Sequence, residues 1–183
     1  MKTSPSHDNP KNQKTAKPFS VRHLTVLALL TATALLLYAV EAMLPTIIPV
    51  PGIKLGLANV VTLVTIRRYG ARDAFFVLLA RILLSCFFFG QLLSLLYSLC
   101  GGLLCLLVTW GVNALLAGNY LPVTSILGAM THNATQLLVA YLVTTVPGVF
   151  AYLPFLMISA VITGLFTGLC AHFTIQKLPK ELL

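Results

Sequence analysis

The sequence has 183 residues, of which 58% are hydrophobic and 9% charged, and its formal net charge is +8. Soluble domains carry about 25% charged residues, so this chain has too few charges to cover a water-facing surface. Its basic residues flank long apolar runs, which is the positive-inside pattern of membrane proteins rather than a nucleic-acid-binding patch. The composition therefore predicts an all-α integral membrane protein that contacts the lipid bilayer and not nucleic acid.

The first 20 residues form a polar segment rich in Lys, Ser, Thr, Asn and Pro. Such a composition has too little apolar mass to offset the entropy of ordering, so we predict a disordered basic tail at 1–20. The apolar run at 24–40 is longer than the core of a signal peptide, and no convincing cleavage site precedes the next span. We therefore expect a retained first helix.

Six apolar segments follow the tail, separated by Pro, Gly or basic residues. We predict spans at about 24–44, 53–66, 74–89, 92–117, 122–146 and 149–174. Several are shorter than the roughly 20 residues that cross the hydrocarbon core, so their neighbours must shield them or the bilayer must thin. The prediction is a six-transmembrane-helix bundle over 21–176, followed by a short cytoplasmic end at 177–183.

The basic clusters all agree with one orientation of these six spans. The N-terminal tail, the loop with Arg67, Arg68 and Arg72, and the end with Lys177 and Lys180 fall on the same side. The positive-inside rule makes that side cytoplasmic. We therefore predict a multi-pass protein of the plasma membrane with both termini in the cytoplasm.

Arg81 is the sharpest polar feature inside the predicted spans. It lies eight residues after Asp73, about 12 Å along a helix and hence near the middle of the membrane. A charge at that depth faces the bundle interior and points to function. The structural alternative is an ion pair with Glu41 or a bond to helix-end carbonyls.

The fifth predicted span carries a second polar group. His132 and Gln136 are four residues apart and share a helix face, and Asn133 is adjacent. These side chains could form the floor of a site for a small ligand, or could simply bond across helices. A metal site is not expected, because no second His or carboxylate lies at ligand spacing.

The first loop and the first span complete the set of candidates. The Pro- and Gly-rich loop leading to Lys54 and Asn59 breaks helicity where only protein or a cavity can shield the backbone, although Lys54 could also only snorkel to the interface. The two cationic side chains, Lys54 and Arg81, favour an anionic or carbonyl-rich ligand. Converging polar groups among apolar walls are typical of a ligand pocket, so we predict substrate binding by Lys54, Asn59, Arg81, His132, Asn133 and Gln136.

Several kinds of catalytic site are missing from the sequence. The four acids, Asp8, Glu41, Asp73 and Glu181, are far apart, which excludes an Asp-rich magnesium–diphosphate site. The sequence has no Walker loop and no serine nucleophile elbow. We therefore predict a protein that is not an enzyme, with no catalytic residues, no cofactor and no metal.

Motifs along the whole chain resemble one family. They are PGIKLGLAN at 51–59, the basic loop through 72–74, Arg81, LYSLCGGL at 96–103, and His132-Asn133 with Gln136. Together they resemble the Gx transporter family, often labelled heptaprenyl diphosphate synthase component I, over about 21–173. That family resembles the substrate-binding (S) components of energy-coupling-factor transporters, which have six helices and both ends in the cytoplasm.

The resemblance implies a subunit that captures a small vitamin-like or quinone- or isoprenoid-related molecule near the outer face, partly under the first loop. Small residues on the first helix of S components contact a transmembrane coupling protein driven by two ATPases. Ala28 and Ala32 match those positions. The alternatives are a non-catalytic accessory subunit of polyprenyl diphosphate or quinone synthesis, and a structural partner of a redox assembly.

Overall fold

The computed structural model describes residues 21–43, 56–89, 92–116 and 118–178. These ranges fold into six α-helices and one short 3₁₀ helix, with no β-strand among them, which confirms the predicted all-α class. The α-helices are α1 Val21–Met43, α2 Leu57–Tyr69, α3 Ala71–Phe89, α4 Leu92–Leu115, α5 Leu121–Thr144 and α6 Leu153–Lys177, and the 3₁₀ helix is Pro147–Tyr152. The predicted tail at 1–20 and the end at 179–183 lie outside the described residues.

Helix ends follow local backbone chemistry. Gly56 and Gly70 flank α2 with φ of 71° and 96°, a region that glycine adopts without the steric cost of a Cβ. Pro122 and Pro154 stand in the first turns of α5 and α6, where a helix leaves its N–H groups unpaired in any case. The approximate hydropathy-based limits differ from the helix ends by a few residues at several places: α2, for example, continues past 66 to Tyr69, and 149–152 are 3₁₀ rather than α-helix.

The number of membrane spans is only partly supported. Four segments are long and apolar enough to cross a membrane: Val21–Met43, Leu95–Leu115, Leu121–Thr144 and Pro147–Lys177. Helix α2 has 13 residues, so it is about 20 Å long, less than the ~30 Å of hydrocarbon. Helix α3 carries three charged residues. A multi-pass membrane protein is therefore supported, and spanning by α2 and α3 stays a prediction.

The helices close into a ring in the order α1, α2, α6, α5, α4, α3 and back to α1, and α2 also contacts α3 and α4. This central position buries α2, whose residues from 61 to 66 are all buried. Helices α5 and α6 approach closely because a Cβ at Gly164 or Gly168 would lie 2.6 Å from backbone of α5. Small residues four apart thus let the two helices approach closely.

One end of the ring gathers the basic side chains, and we call it the basic end, defined by Arg22, Arg67, Arg68, Arg72 and Lys177. The Arg68 guanidinium at the end of α2 donates to the backbone oxygens of residues 175 and 178 at the end of α6, at 2.7 and 3.2 Å. Near the starts of α1 and α3, the imidazole of residue 23 lies 3.2 Å from the carboxylate of residue 73. The basic clusters therefore share one side, and its cytoplasmic orientation stays a prediction.

Thiol labelling tests that orientation. In a background without the native cysteines, Gly148→Cys lies at an exposed position beyond the end of α5, and Gln176→Cys lies at an exposed position near the basic end. A membrane-impermeant maleimide added to intact cells should label the first and not the second. Both should label after permeabilisation, and the reverse pattern on intact cells would contradict the orientation.

Candidate ligand-binding site

A polar cavity lies inside the helix ring, and each of the six α-helices contributes to its wall. Its polar lining side chains are Tyr38, Glu41, Asn59, Arg81, Ser98, His132, Asn133, Gln136, Thr163 and Thr167. Its water-accessible volume is about 60 Å³. A single water needs about 10–15 Å³ of such volume, so the cavity has room for a polar group of a few heavy atoms.

Five of the six residues predicted to bind substrate line this one cavity: Asn59, Arg81, His132, Asn133 and Gln136. The sixth, Lys54, lies outside the described residues. At the helical rise, Arg81 stands about 15 Å from the start of α3 and Glu41 about 30 Å from the start of α1. The cavity thus occupies the middle of the ring and the half away from the basic end. The structure brings these side chains together, and their binding of a ligand stays a prediction.

Arg81 supplies a buried positive charge at the cavity wall. Its side chain is 7% exposed, and its Nε–H has no hydrogen-bond partner within the described part of the chain. Glu41 and Tyr38 line the same cavity as Arg81. Because an incompletely paired buried charge is costly, this arrangement leaves a cationic donor available to the cavity.

Glu41 does not act mainly as the ion-pair partner of Arg81 that the sequence suggested as an alternative. Its carboxylate, 9% exposed, accepts hydrogen bonds from the backbone N–H of Gly56 at 2.7 Å and of Leu57 at 3.1 Å. Glycine has no side chain to cap α2, so a carboxylate from α1 does so, and the helix dipole strengthens the contact. Glu41 thereby joins the two ends of the first loop beside the cavity.

The polar face of α5 serves two purposes. Asn133 donates from Nδ2 to the backbone oxygen of Leu156 at 3.0 Å, so it bonds across to α6 as the structural alternative predicted. His132 and Gln136 instead pack over α4, where a Cβ at Gly101 would lie 3.0 Å from the imidazole and 3.2 Å from Gln136 Cγ. Gly101, which the sequence analysis gave only as part of the motif at 96–103, therefore makes room for the cavity wall.

Sequence reasoning missed the hydroxyl groups of the cavity. Ser98, Thr163 and Thr167 line it, but isolated Ser and Thr in an apolar helix commonly bond to their own backbone. Thr167, for example, donates to the residue-163 oxygen at 2.9 Å and also pairs with Ser125 Oγ at 2.8 Å. Only the spacing of Thr163 and Thr167, four apart and so on one face, could have signalled a shared wall.

A smaller cavity of about 20 Å³ continues from the first toward the basic end, sharing Asn59, Ala129 and Thr167 with it. Hydroxyl groups also line it, including Thr109 and Ser125. Its volume is enough for about one water. Polar surface therefore extends beyond the main cavity into the half of the ring that is nearer the basic end.

The two residues predicted to face a partner protein lie far from this cavity. Ala28 and Ala32 are both exposed on the outside of α1. Their small side chains leave that stretch of the helix open to close approach. Contact with a coupling protein there stays a prediction.

Fold and cavity together define the class: a multi-pass, all-helical membrane protein with a polar cavity inside a ring of six helices. The model of one protein family, described as heptaprenyl diphosphate synthase component I, matches residues 30–174. The chain belongs to this family, as its motifs predicted. Comparisons with curated proteins and with solved structures gave no significant match.

The capping role of Glu41 predicts a specific loss of stability. Glu41→Gln removes the charge that two amide groups of α2 bind, and loss of a helix cap costs about 0.5–2 kcal/mol. The thermal midpoint of the purified protein in detergent should fall accordingly. Asp73→Asn is the control, since its partly exposed pair with His23 contributes about 1 kcal/mol or less. An equal or larger fall for Asp73→Asn would contradict the role given to Glu41.

Proposed function

We propose that this protein is the membrane-embedded substrate-binding subunit of an uptake system whose energy comes from a separate ATPase module. The observation that carries the proposal is the polar cavity within an otherwise apolar ring. Apart from Ser and Thr hydroxyls, few polar side chains lie away from the helix ends, and most of those predicted from the sequence line one cavity. Such convergence among apolar walls is typical of small-molecule sites.

The surroundings of the cavity support capture of a ligand rather than chemistry on it. The cavity wall holds one carboxylate among the described residues, Glu41, and its oxygens are bound to backbone amides. An acid–base pair of Glu41 and His132 would need a carboxylate that backbone amides do not already hold, and a metal site would need more ligands than these two. The proposed role is therefore to bind a small vitamin-like or quinone- or isoprenoid-related molecule without changing it.

The proposed side of access is the one where α1 ends and α2 begins. Glu41 and Gly56 meet there and both line the cavity. In this proposal that side faces outward, and the basic end faces the cytoplasm and the ATPases.

The description of the family supports a second candidate function. A non-catalytic membrane subunit of polyprenyl diphosphate or quinone synthesis would also need a membrane-embedded chain that binds a small molecule or a partner. Proteins that copurify from native membranes separate the two candidates. A transmembrane coupling protein with ATPases supports transport, and a soluble prenyl-transferring subunit supports the accessory role.

Filling the cavity should abolish ligand retention. Gly101→Leu directs bulk onto the His132 ring, whereas Gly111→Leu on the same helix meets no atom within 4 Å. Mass spectrometry of extracts from the purified proteins should find a small molecule with wild type and with Gly111→Leu. With Gly101→Leu its amount should fall about tenfold or more, corresponding to about 1.4 kcal/mol of lost binding.

Folding is checked by a monodisperse elution profile, and Gly101→Ala is the milder variant if the leucine variant fails this check. Equal amounts of the molecule with a folded cavity variant and with Gly111→Leu would contradict binding in this cavity. Absence of any specific small molecule from wild type purified from native membranes would count against the proposed function itself.

The partner surface has its own prediction. Ala28→Leu with Ala32→Leu adds bulk on the exposed face of α1, so a coupling protein should no longer copurify while ligand retention persists. Thr33→Leu is the control, because it adds bulk at the same depth on another exposed flank of α1. Partner recovery equal to wild type in the double variant would contradict a contact at these positions.

A further inference from the structure

We propose that the cavity holds its ligand by a single carboxylate group, for which Arg81 is the anchoring cation. The inference rests on the proposed binding function and names the chemistry that this function requires. It follows from three features of the cavity: an unpaired buried donor, a carboxylate that is already engaged, and a small volume.

The unpaired donor is the Nε–H of Arg81, which is buried and has no hydrogen-bond partner among the described residues. Nearly all buried polar groups in native proteins have hydrogen-bond partners, so an exception beside a cavity indicates a missing acceptor. The Nε–H of Arg68 is also buried and unpaired, but that guanidinium binds two carbonyl oxygens at the basic end and is not part of the cavity wall. The adjoining space distinguishes Arg81 from Arg68.

The charges of the described cavity wall fix the charge of the ligand. Arg81 is its cation and stays protonated in proteins. Glu41 is its anion, and the amides of Gly56 and Leu57 hold that carboxylate. A neutral carbonyl would leave the Arg81 charge without an anionic acceptor. A phosphate or diphosphate would place two or more negative charges beside Glu41, where like charges repel. One carboxylate satisfies Arg81 and brings a single negative charge beside Glu41, which is less than a phosphate or diphosphate would bring.

The volume of the cavity and the geometry of the Arg81 guanidinium agree with a ligand carboxylate. About 60 Å³ of water-accessible space corresponds to roughly four to six water positions, which suits a carboxylate and the carbon atoms next to it. A planar guanidinium matches a planar carboxylate in shape and donor spacing. The amide groups of Asn59 and Gln136 and the Ser98 hydroxyl line the same cavity and can donate to the second oxygen.

Acetate and acetamide provide a direct test, because they share shape and differ in charge. The Nε–H resonances of the arginines are recorded by two-dimensional ¹H–¹⁵N NMR on the full chain in lipid nanodiscs at constant ionic strength. Loss of a peak in Arg81→Lys assigns Arg81. If that variant does not fold, single lysine replacements of the other four arginines assign it by elimination. Arg68 is the internal control, because its Nε–H is also buried but does not lie in the cavity wall.

Sodium acetate should shift the Arg81 peak saturably in the millimolar range, leave the Arg68 peak in place, and act much more strongly than acetamide. No saturable shift with acetate, or an equal shift with acetamide, would overturn the carboxylate assignment. A tighter response to inorganic phosphate would replace a carboxylate by a phosphate group and would also overturn it.

The result is separable from the test of the proposed function. Retention of a small molecule by wild type and its loss in Gly101→Leu do not depend on the charge of that molecule. If retention behaves as expected and acetate has no effect, the carboxylate assignment fails and the binding function stands. If acetate binds at Arg81 and no molecule is retained, the assignment stands and the proposed function fails.

Discussion

The contact between the Glu41 carboxylate and the first amides of α2 is the interaction on which the rest of the structure depends. Helix α2 begins at a glycine inside an apolar ring, where unpaired N–H groups have no water to bind. Since Gly56 offers no side chain, the cap must come from another helix, and α1 supplies it. The same contact fixes the first loop at both ends, places Asn59 in the cavity wall, and keeps Glu41 from fully compensating Arg81.

Helix α2 is held at its other end by the reverse arrangement. There Arg68 donates to backbone carbonyls at the end of α6. The Glu41 carboxylate thus caps the start of α2, and the Arg68 guanidinium caps the end of α6. Helix dipoles favour both arrangements, a negative group at a helix start and a positive group at a helix end. Helix α2 is anchored at both ends and buried between its neighbours. With 13 residues it can therefore be stable in the ring without being long enough to cross the hydrocarbon layer. Helices α5 and α6 are in close backbone contact at Gly164 and Gly168. Helix α5 carries His132, Asn133 and Gln136 in the cavity wall.

The sequence predicted the helical class, most helix positions and five cavity residues, because polar groups in apolar runs are rare and conspicuous. It could not predict that Glu41 caps α2, since the partner of a carboxylate depends on which helix ends meet in three dimensions. Hydropathy ended α2 too early because the arginines after residue 66 look like loop residues, yet Arg68 stays helical through its bonds to α6. The hydroxyls of Thr163 and Thr167 gave no distinct signal, since threonines bond to their own helices throughout this protein.

The central claim is that the space beside Arg81 is a ligand site. A cryo-electron microscopy map of the protein purified from native membranes, with a bound antibody fragment for alignment, tests it most directly. The account predicts density for a small non-protein molecule touching Arg81, with His132 and Gln136 along its side. Continuous protein density filling that space, or a retained molecule bound elsewhere in the ring, would contradict it.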